Sequence, residues 1–274
     1  MPALALTGGR RLSYEDYGRG PLLILLHGSP GTARAWQKAG ERLADRFRVV
    51  APDLPGHGSS DAVPDPRPAI GDFAADVEAL IGAVGEPLVL AGHSHGGNVA
   101  LNVAVRGRAS VRGLALFEAV SVGVLHSIGD AEAFAAAKLV LDDYLAAVES
   151  EAEGAIGRMV DFWFGSGAFE RMPKATQDYL VSEMGQNALD VRATLAAEYP
   201  LEAIARLEMP LLAVYGSASP AVTAKIAAAL ASRSHRGRLR IVEGATHALT
   251  ATHAEEVARL IAAHVDRCDV GAAG

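Results

Sequence analysis

Pro87-Leu88-Val89-Leu90-Ala91 runs directly into Gly92-His93-Ser94-His95-Gly96-Gly97, and then into Asn98-Val99-Ala100-Leu101-Asn102-Val103-Ala104. A short apolar run that stops at glycine reads as a buried strand, and the segment after it has helical spacing. The order is strand, Gly-x-Ser-x-Gly, helix. A sharp turn at that point lifts the Ser94 hydroxyl onto an exposed apex and strains its backbone. Gly92 and Gly96 leave room where a side chain would clash. The helix that begins at His95 turns its unpaired N–H groups toward any anion formed beside Ser94. In a chain with 29 glycines the bare motif is weak. Its strand–turn–helix setting makes Ser94 a candidate nucleophile.

On either side, short apolar runs alternate with longer amphipathic ones. Pro21 to Leu26, Phe47 to Ala51, Pro87 to Ala91, Val111 to Phe117, Pro210 to Tyr215 and Arg238 to Val242 read as buried strands. Ala33 to Arg46, Ile70 to Val84, His95 to Arg106, Ala221 to Ser232 and Thr252 to Val265 read as helices. This alternation predicts an α/β fold, a mostly parallel sheet with helices on both faces. Leu12 to Tyr17 adds an antiparallel edge strand. Residues 120–206 break the rhythm, because they carry helical patterning and no strand. The helical candidates there are Ala131 to Ala147, Glu151 to Phe164, Ala175 to Asn187 and Leu189 to Ala197. A stretch that long between two strands exceeds an ordinary crossover. The expected division is a core of residues 1–119 and 207–274 with a helical cap at 120–206. The cap holds Trp163, Phe162, Phe164, Phe169, Tyr144 and Tyr179, which pack it onto the core or line an apolar pocket beneath it. Asp266 to Gly274 reads as a frayed end.

Composition narrows the function. The net charge of −7 argues against nucleic acid and anionic membranes as partners. The single cysteine, Cys268, has no partner for an internal disulfide, which points to a reducing, cytoplasmic setting. The first residues lack the basic flank and length of a signal peptide, and no apolar stretch approaches the roughly 20 residues of a membrane span. No cluster of His, Cys or carboxylate has metal-ligand spacing, so neither metal nor cofactor is expected. The expected partner is a small-molecule substrate, and a homodimer is the default assembly.

A serine nucleophile needs a base, a group that orients the base, and donors for the developing oxyanion. Of nine histidines, His27, His57, His93 and His95 sit in glycine-flanked turns that explain them locally. His126, His235, His253 and His264 lack a supporting pattern. His247 follows the last strand through Glu243-Gly244-Ala245-Thr246, at the sheet edge that presents Ser94, and is the candidate base. The candidate oxyanion donors are the backbone N–H of His95 and that of Ser29, in the turn His27-Gly28-Ser29-Pro30-Gly31. Asp53 and Ser59 read as loop-holding residues. Trp36, beside the Ser29 loop, is a candidate pocket residue or a core residue. Trp163 and Phe162 are the candidate pocket residues in the cap.

Leu26-His27-Gly28-Ser29-Pro30-Gly31, Pro52-Asp53-Leu54-Pro55-Gly56-His57-Gly58-Ser59-Ser60, Gly92 to Gly97 and Gly244-Ala245-Thr246-His247 together resemble the α/β-hydrolase superfamily. The resemblance covers nearly all of the chain outside the cap. It implies an eight-stranded sheet with an inserted helical cap, Ser94 as nucleophile, His247 as base, and Ser29 and His95 as oxyanion donors. The orienting acid departs from the common pattern. In most relatives it follows the strand that resumes after the cap, where this chain has Ser217-Ala218-Ser219-Pro220, and no carboxylate occurs between Glu208 and Glu243. Glu118 ends the strand Leu114-Ala115-Leu116-Phe117, a site that some relatives, including certain haloalkane dehalogenases, use for the acid. Glu118 is therefore the candidate. It otherwise caps the cap's entry, or the site is a dyad or inactive.

A serine at position 94 favours acyl transfer over dehalogenation or epoxide opening, since relatives with those activities carry aspartate there. The expected activity is hydrolysis of an ester or lactone of a small, mostly apolar substrate. The alternatives are a carbon–carbon bond hydrolase of ring-cleavage type, whose usual tryptophan after the histidine is replaced by Ala248, and a small-molecule receptor. An iminopeptidase reading would use cap acids such as Asp142, Asp143, Asp161 or Glu183, each of which also reads as part of a solvated helix face.

Overall fold

The computed structural model describes residues 1–85 and 87–270. Eight strands form one sheet: β1 (Ala3–Ala5), β2 (Arg11–Gly18), β3 (Leu22–Leu26), β4 (Arg48–Pro52), β5 (Leu88–His93), β6 (Val111–Phe117), β7 (Leu211–Gly216) and β8 (Gly237–Val242). Their spatial order is β1-β2-β4-β3-β5-β6-β7-β8. β1 pairs antiparallel with β2, and β2 with β4; every other neighbour is parallel. β2 is the antiparallel strand the sequence indicates. The outermost strand is β1, three residues of which only Leu4 is half-buried, too short to carry a pattern.

The core explains why β3 reads as an unbroken apolar run. Leu22, Ile24 and Leu26 face one side of the sheet, with Val99, Phe73 and Ile226. Leu23 and Leu25 face the other, with Leu43, Val257 and Ile261. Successive residues of a strand point to opposite faces, so a strand covered on both sides must be apolar throughout. The first face is covered by α2 (Ile70–Val84), α3 (Ser94–Arg106) and α11 (Ala221–Arg233), and the second by α1 (Gln37–Leu43) and α13 (Ala254–Val270). The expected helix from Ala33 begins as a short 3-10 turn, Ala33–Trp36, before α1. α13 does not end near Val265. Val257, Ile261, His264, Val265 and Cys268 form one buried helical stripe that carries it through to Val270; residues 271–274 lie outside the described residues.

Between β6 and β7 the described residues are helical: α4 (Gly123–Ser127), α5 (Ala131–Glu149), α6 (Ala155–Phe164), α7 (Ala168–Arg171), α8 (Lys174–Ser182), α9 (Met184–Ala196) and α10 (Leu201–Ala205). The break expected near Asn187 falls at Glu183 instead, and α9 runs straight through Asn187. α12 (Leu249–Thr252) follows β8. Among the described residues, no helix is long and apolar enough to cross a membrane.

Candidate active site

The sheet register brings the site together. His93 of β5 stands opposite Phe117 of β6, so the next residues, Ser94 and Glu118, leave adjacent strands at the same level. Both take left-handed backbone angles, φ 53° at Ser94 and 52° at Glu118. Side chains other than glycine pay about 1–3 kcal/mol for such a conformation, which persists only where the surroundings enforce it. Close backbone approach enforces the Ser94 turn. A Cβ on Gly92 would lie 2.3 Å from the Gly96 carbonyl oxygen, and one on Gly96 would lie 2.3 Å from that of His27.

His247 arrives from the loop after β8. Its Nδ1–H donates to Glu118 Oε2 at 2.9 Å, which leaves Nε2 to accept from the Ser94 hydroxyl at 2.9 Å. The other carboxylate oxygen, Glu118 Oε1, accepts the Gly216 N–H at the end of β7. Glu118 is 1% exposed and His247 3%, so water has little access to the contact between them. The position after β7 that lacks a carboxylate, Ser219, is half-buried, and its buried hydroxyl oxygen finds no partner among the described residues. Geometrically, the arrangement places an imidazole nitrogen on the serine hydroxyl and a carboxyl group behind the imidazole.

The surroundings fix the imidazole. His93 donates Nε2–H to the His247 carbonyl at 2.8 Å. Burial, reinforced by the neighbouring His247, lowers the His93 pKa to about 3 and keeps it neutral. Trp163 stacks on the His247 ring, with centroids 4.7 Å apart and planes 27° apart. Phe164 meets the same ring edge-on at 5.7 Å.

The Ser29 loop lies against Ser94: a Cβ on Gly28 would stand 3.0 Å from Ser94 Cβ. His27 ties this loop to the next one, with Nδ1–H donating to the Gly28 carbonyl and Nε2 accepting from Leu54 N–H, each at 2.8 Å. Asp53 accepts from Ala33 N–H at 2.8 Å and from Ser59 N–H at 2.9 Å, which is the loop-holding work expected of it. His95 N–H lies in the first turn of α3, where no carbonyl one turn back is available to it.

A cavity of about 250 Å³ opens over Ser94. From α6 it is lined by Ile156, Met159, Val160, Trp163 and Phe164, spaced i, i+3, i+4, i+7, i+8 on one helical face. Two pocket expectations need correction. Phe162 lies off that face and packs edge-on against Trp163 instead, at 4.7 Å; Phe164 is on the wall. Trp36 is fully buried in the core beneath the sheet, against Phe117 at 5.8 Å, because the 3-10 turn directs it inward, away from the cavity.

Sequence reasoning missed the polar part of the wall. Asn187, Asp190 and Thr194 of α9 line the cavity with Ser29 and His95. Asp190 Oδ2 accepts His57 Nε2–H at 2.8 Å. Asn187 donates to Ser29 Oγ at 2.9 Å. The available signal was their spacing, i, i+3, i+7, which sets three polar residues on a single face of a helix that packs on the core. The acids Asp142 and Asp161 serve elsewhere. Asp142 pairs with Lys138, and Asp161 accepts the N–H groups of Gly167 and Phe169. Among the described residues, no group of three or more His, Cys, Asp or Glu is placed to hold a metal ion.

A mostly parallel sheet with a serine at a strand–helix elbow, a histidine after the last strand and a buried carboxylate behind it defines a class of fold and site. Residues 23–260 match the model of the Alpha/beta hydrolase family, and the chain belongs to that family. The chain spans 28% of the length of curated relatives that it matches at 36% identity over 97 residues. It is similar along 93% of its length to an (E)-2-((N-methylformamido)methylene)succinate hydrolase of Acinetobacter baylyi, 24% identical and 94% covered. Among solved structures it is similar to an esterase of Thermogutta terrifontis (TM-score 0.77, 23% identity, 97% and 98% of the two chains covered). It is also similar to an enol-lactonase of Burkholderia xenovorans (TM-score 0.76, 21% identity, 97% and 100% covered). Likeness to solved structures at these identities carries the fold; chemistry rests on the residues of the site.

Proposed function

We propose that the protein is a serine hydrolase that cleaves an ester or lactone of a small, mostly apolar substrate through an acyl-enzyme on Ser94. The observation that carries this reading is the hydrogen-bonded chain Ser94 Oγ, His247, Glu118. As Oγ attacks the carbonyl, its proton passes to His247 Nε2, and Glu118 stabilises the imidazolium that forms. The N–H groups of Ser29 and His95 receive the oxyanion. His247 then gives its proton to the leaving oxygen, and a water activated by the same imidazole releases the acid. A cavity of about 250 Å³ with an α6 wall of Ile156, Met159, Val160 and Trp163 suits a small apolar group. The esterase and enol-lactonase among the structural relatives are in keeping with acyl transfer.

The test is hydrolysis of p-nitrophenyl esters of short to medium acyl chains by the wild type and by Ser94→Ala. The expected result is turnover in the wild type that the variant loses, with a chain-length optimum set by the cavity. A folded wild type that turns over no ester would overturn the reading in favour of carbon–carbon bond hydrolysis.

A further inference from the structure

One wall of the Ser94 cavity differs chemically from the rest. α6 contributes only apolar residues, whereas α9 contributes Asn187, Asp190, Val191 and Thr194. Asp190 is the centre of that wall and is 1% exposed. Beyond His57 on Oδ2, its Oδ1 accepts from Gln186 at 3.0 Å, and the Ser29 hydroxyl also donates to it. His95 Nε2 stands 3.9 Å from Oδ1. Burial alone would raise the Asp190 pKa. The imidazoles of His95 and His57 and the hydrogen bonds from His57 and Ser29 outweigh it and hold the group below the usual carboxylate range. Burial pushes His95 below the ordinary histidine value. An ionised carboxylate thus sits in the wall of a largely apolar cavity.

Two neighbours hold unused capacity. Asn187 Oδ1 and His95 Nε2 find no hydrogen-bond partner among the described residues, although each residue is 4% exposed. Unsatisfied buried polar atoms are uncommon in folded proteins and call for a partner. Asn187 reaches Asp190 through Ser29, and His95 adjoins it directly, so both belong to the same polar corner. His247, which hands its proton to the leaving group, lies beneath Trp163 and Phe164. The α9 wall is left for the acyl part.

We propose that Asn187, Asp190 and His95 form a polar subsite that selects acyl groups bearing a hydrogen-bond donor, a hydroxyl or an ammonium, and excludes acyl groups bearing a carboxylate. This rests on the hydrolase reading for its assignment of acyl and leaving sides. A donor on the substrate, seated beside Asn187, meets the field of Asp190. A carboxylate meets the same field with the wrong sign, inside a cavity where water screens poorly.

The test uses four methyl propanoates substituted at the third carbon by methyl, hydroxyl, ammonium or carboxylate, with acid release followed by titration at constant pH. The hydroxyl and ammonium esters should exceed the carboxylate ester in kcat/KM by at least about tenfold. At an effective dielectric of about 20, a unit charge still produces a factor of about ten at roughly 12 Å. Asp190→Asn, nearly isosteric, should shrink the ammonium-to-carboxylate ratio by a similar factor. A carboxylate ester cleaved as fast as the hydroxyl ester by the wild type, or a ratio unchanged in folded Asp190→Asn, overturns the subsite. Titration of the same esters into Ser94→Ala protein by calorimetry gives the affinity order without turnover. Binding in the expected order with no hydrolysis keeps the subsite and removes the hydrolase reading. Hydrolysis without discrimination does the reverse.

Discussion

Glu118→Gln keeps the shape of a side chain and removes its charge, at a position where both oxygens are used. Glu118 accepts one N–H from Gly216 and one from His247. Glutamine has one oxygen and one NH2 group to meet these two donors. With its NH2 toward Gly216, it sets donor against donor and leaves a buried main-chain N–H unpaired, at a cost of about 1–3 kcal/mol. With its NH2 toward His247, it donates to Nδ1, and the ring proton moves to Nε2. The imidazole then faces Ser94 with a proton and cannot take another. In either orientation the imidazolium of the transition state loses its counter-charge. Unit charges about 4 Å apart at an effective dielectric of about 20 interact by about 4 kcal/mol, and a tenfold change in rate corresponds to about 1.4 kcal/mol. Turnover of p-nitrophenyl butanoate by Glu118→Gln should therefore fall by about 10³-fold in kcat/KM, with native circular dichroism. A folded variant within tenfold of the wild type would refute the assignment of Glu118 as the orienting acid.

Other consequences are measurable. Trp163→Ala removes the ring stacked on His247; a lost cation–π contact of about 0.5–2 kcal/mol predicts a fall in kcat of about 2- to 30-fold, and Trp163→Phe should retain most of the rate. An alanine variant with unchanged kcat would show that the stack contributes nothing to the charged imidazole. Asp53→Ala strands the buried N–H of Ala33 and releases that of exposed Ser59 and should cost about 1–3 kcal/mol in urea unfolding; an unchanged urea midpoint would contradict its loop-holding role. Stability should also fall in mild acid. Burial lowers His27 and His93 to about 3 and His264 to about 4, whereas the unfolded chain binds protons at these residues from about pH 6.5 downward. Stability is complete above that pH and is lost as pH falls toward the folded values. At pH 5.5 each histidine should have removed about 1.4 kcal/mol relative to pH 8, about 4 kcal/mol together. Equal urea midpoints at pH 8 and 5.5 would show that these rings are not held neutral.

The sequence disclosed what rests on local pattern. Leu88 to Arg106 was readable because a strand covered on both faces must be apolar throughout and the glycines after it mark the turn. Glu118 was readable because it ends a strand, and the sheet register then sets it beside Ser94. What escaped notice depended on direction. Trp36 is close to the Ser29 loop along the chain, yet the 3-10 turn points it into the opposite core. Phe162 and Phe164 are equally aromatic, and only their angle around α6 separates them. That angle was available from Ile156, Met159, Val160 and Trp163, had the helix been phased. Asp190 looked like any acid on a helix, because its partners His57 and Ser29 lie 133 and 161 residues away in sequence. β1 contributes three residues, too few for any periodicity to register.

The polar links of α9 bear on how a substrate enters. His57 to Asp190 and Ser29 to Asn187 fasten this helix to two loops at the top of the sheet, and Asn98 of α3 meets Thr194 near its end. Leaving a buried hydrogen-bonding group unpaired costs about 1–3 kcal/mol, which makes such an opening roughly 5- to 150-fold rarer than the closed state. On the other side, Trp163 and Phe164 meet His247 through ring contacts, and the turn after α6 is held by Asp161, which accepts the N–H groups of Gly167 and Phe169. α9 is thus the fixed jamb of the cavity. A substrate passing Met172, Thr176 and Leu180 finds the polar corner already assembled, and the entropy of ordering it was met when the chain folded.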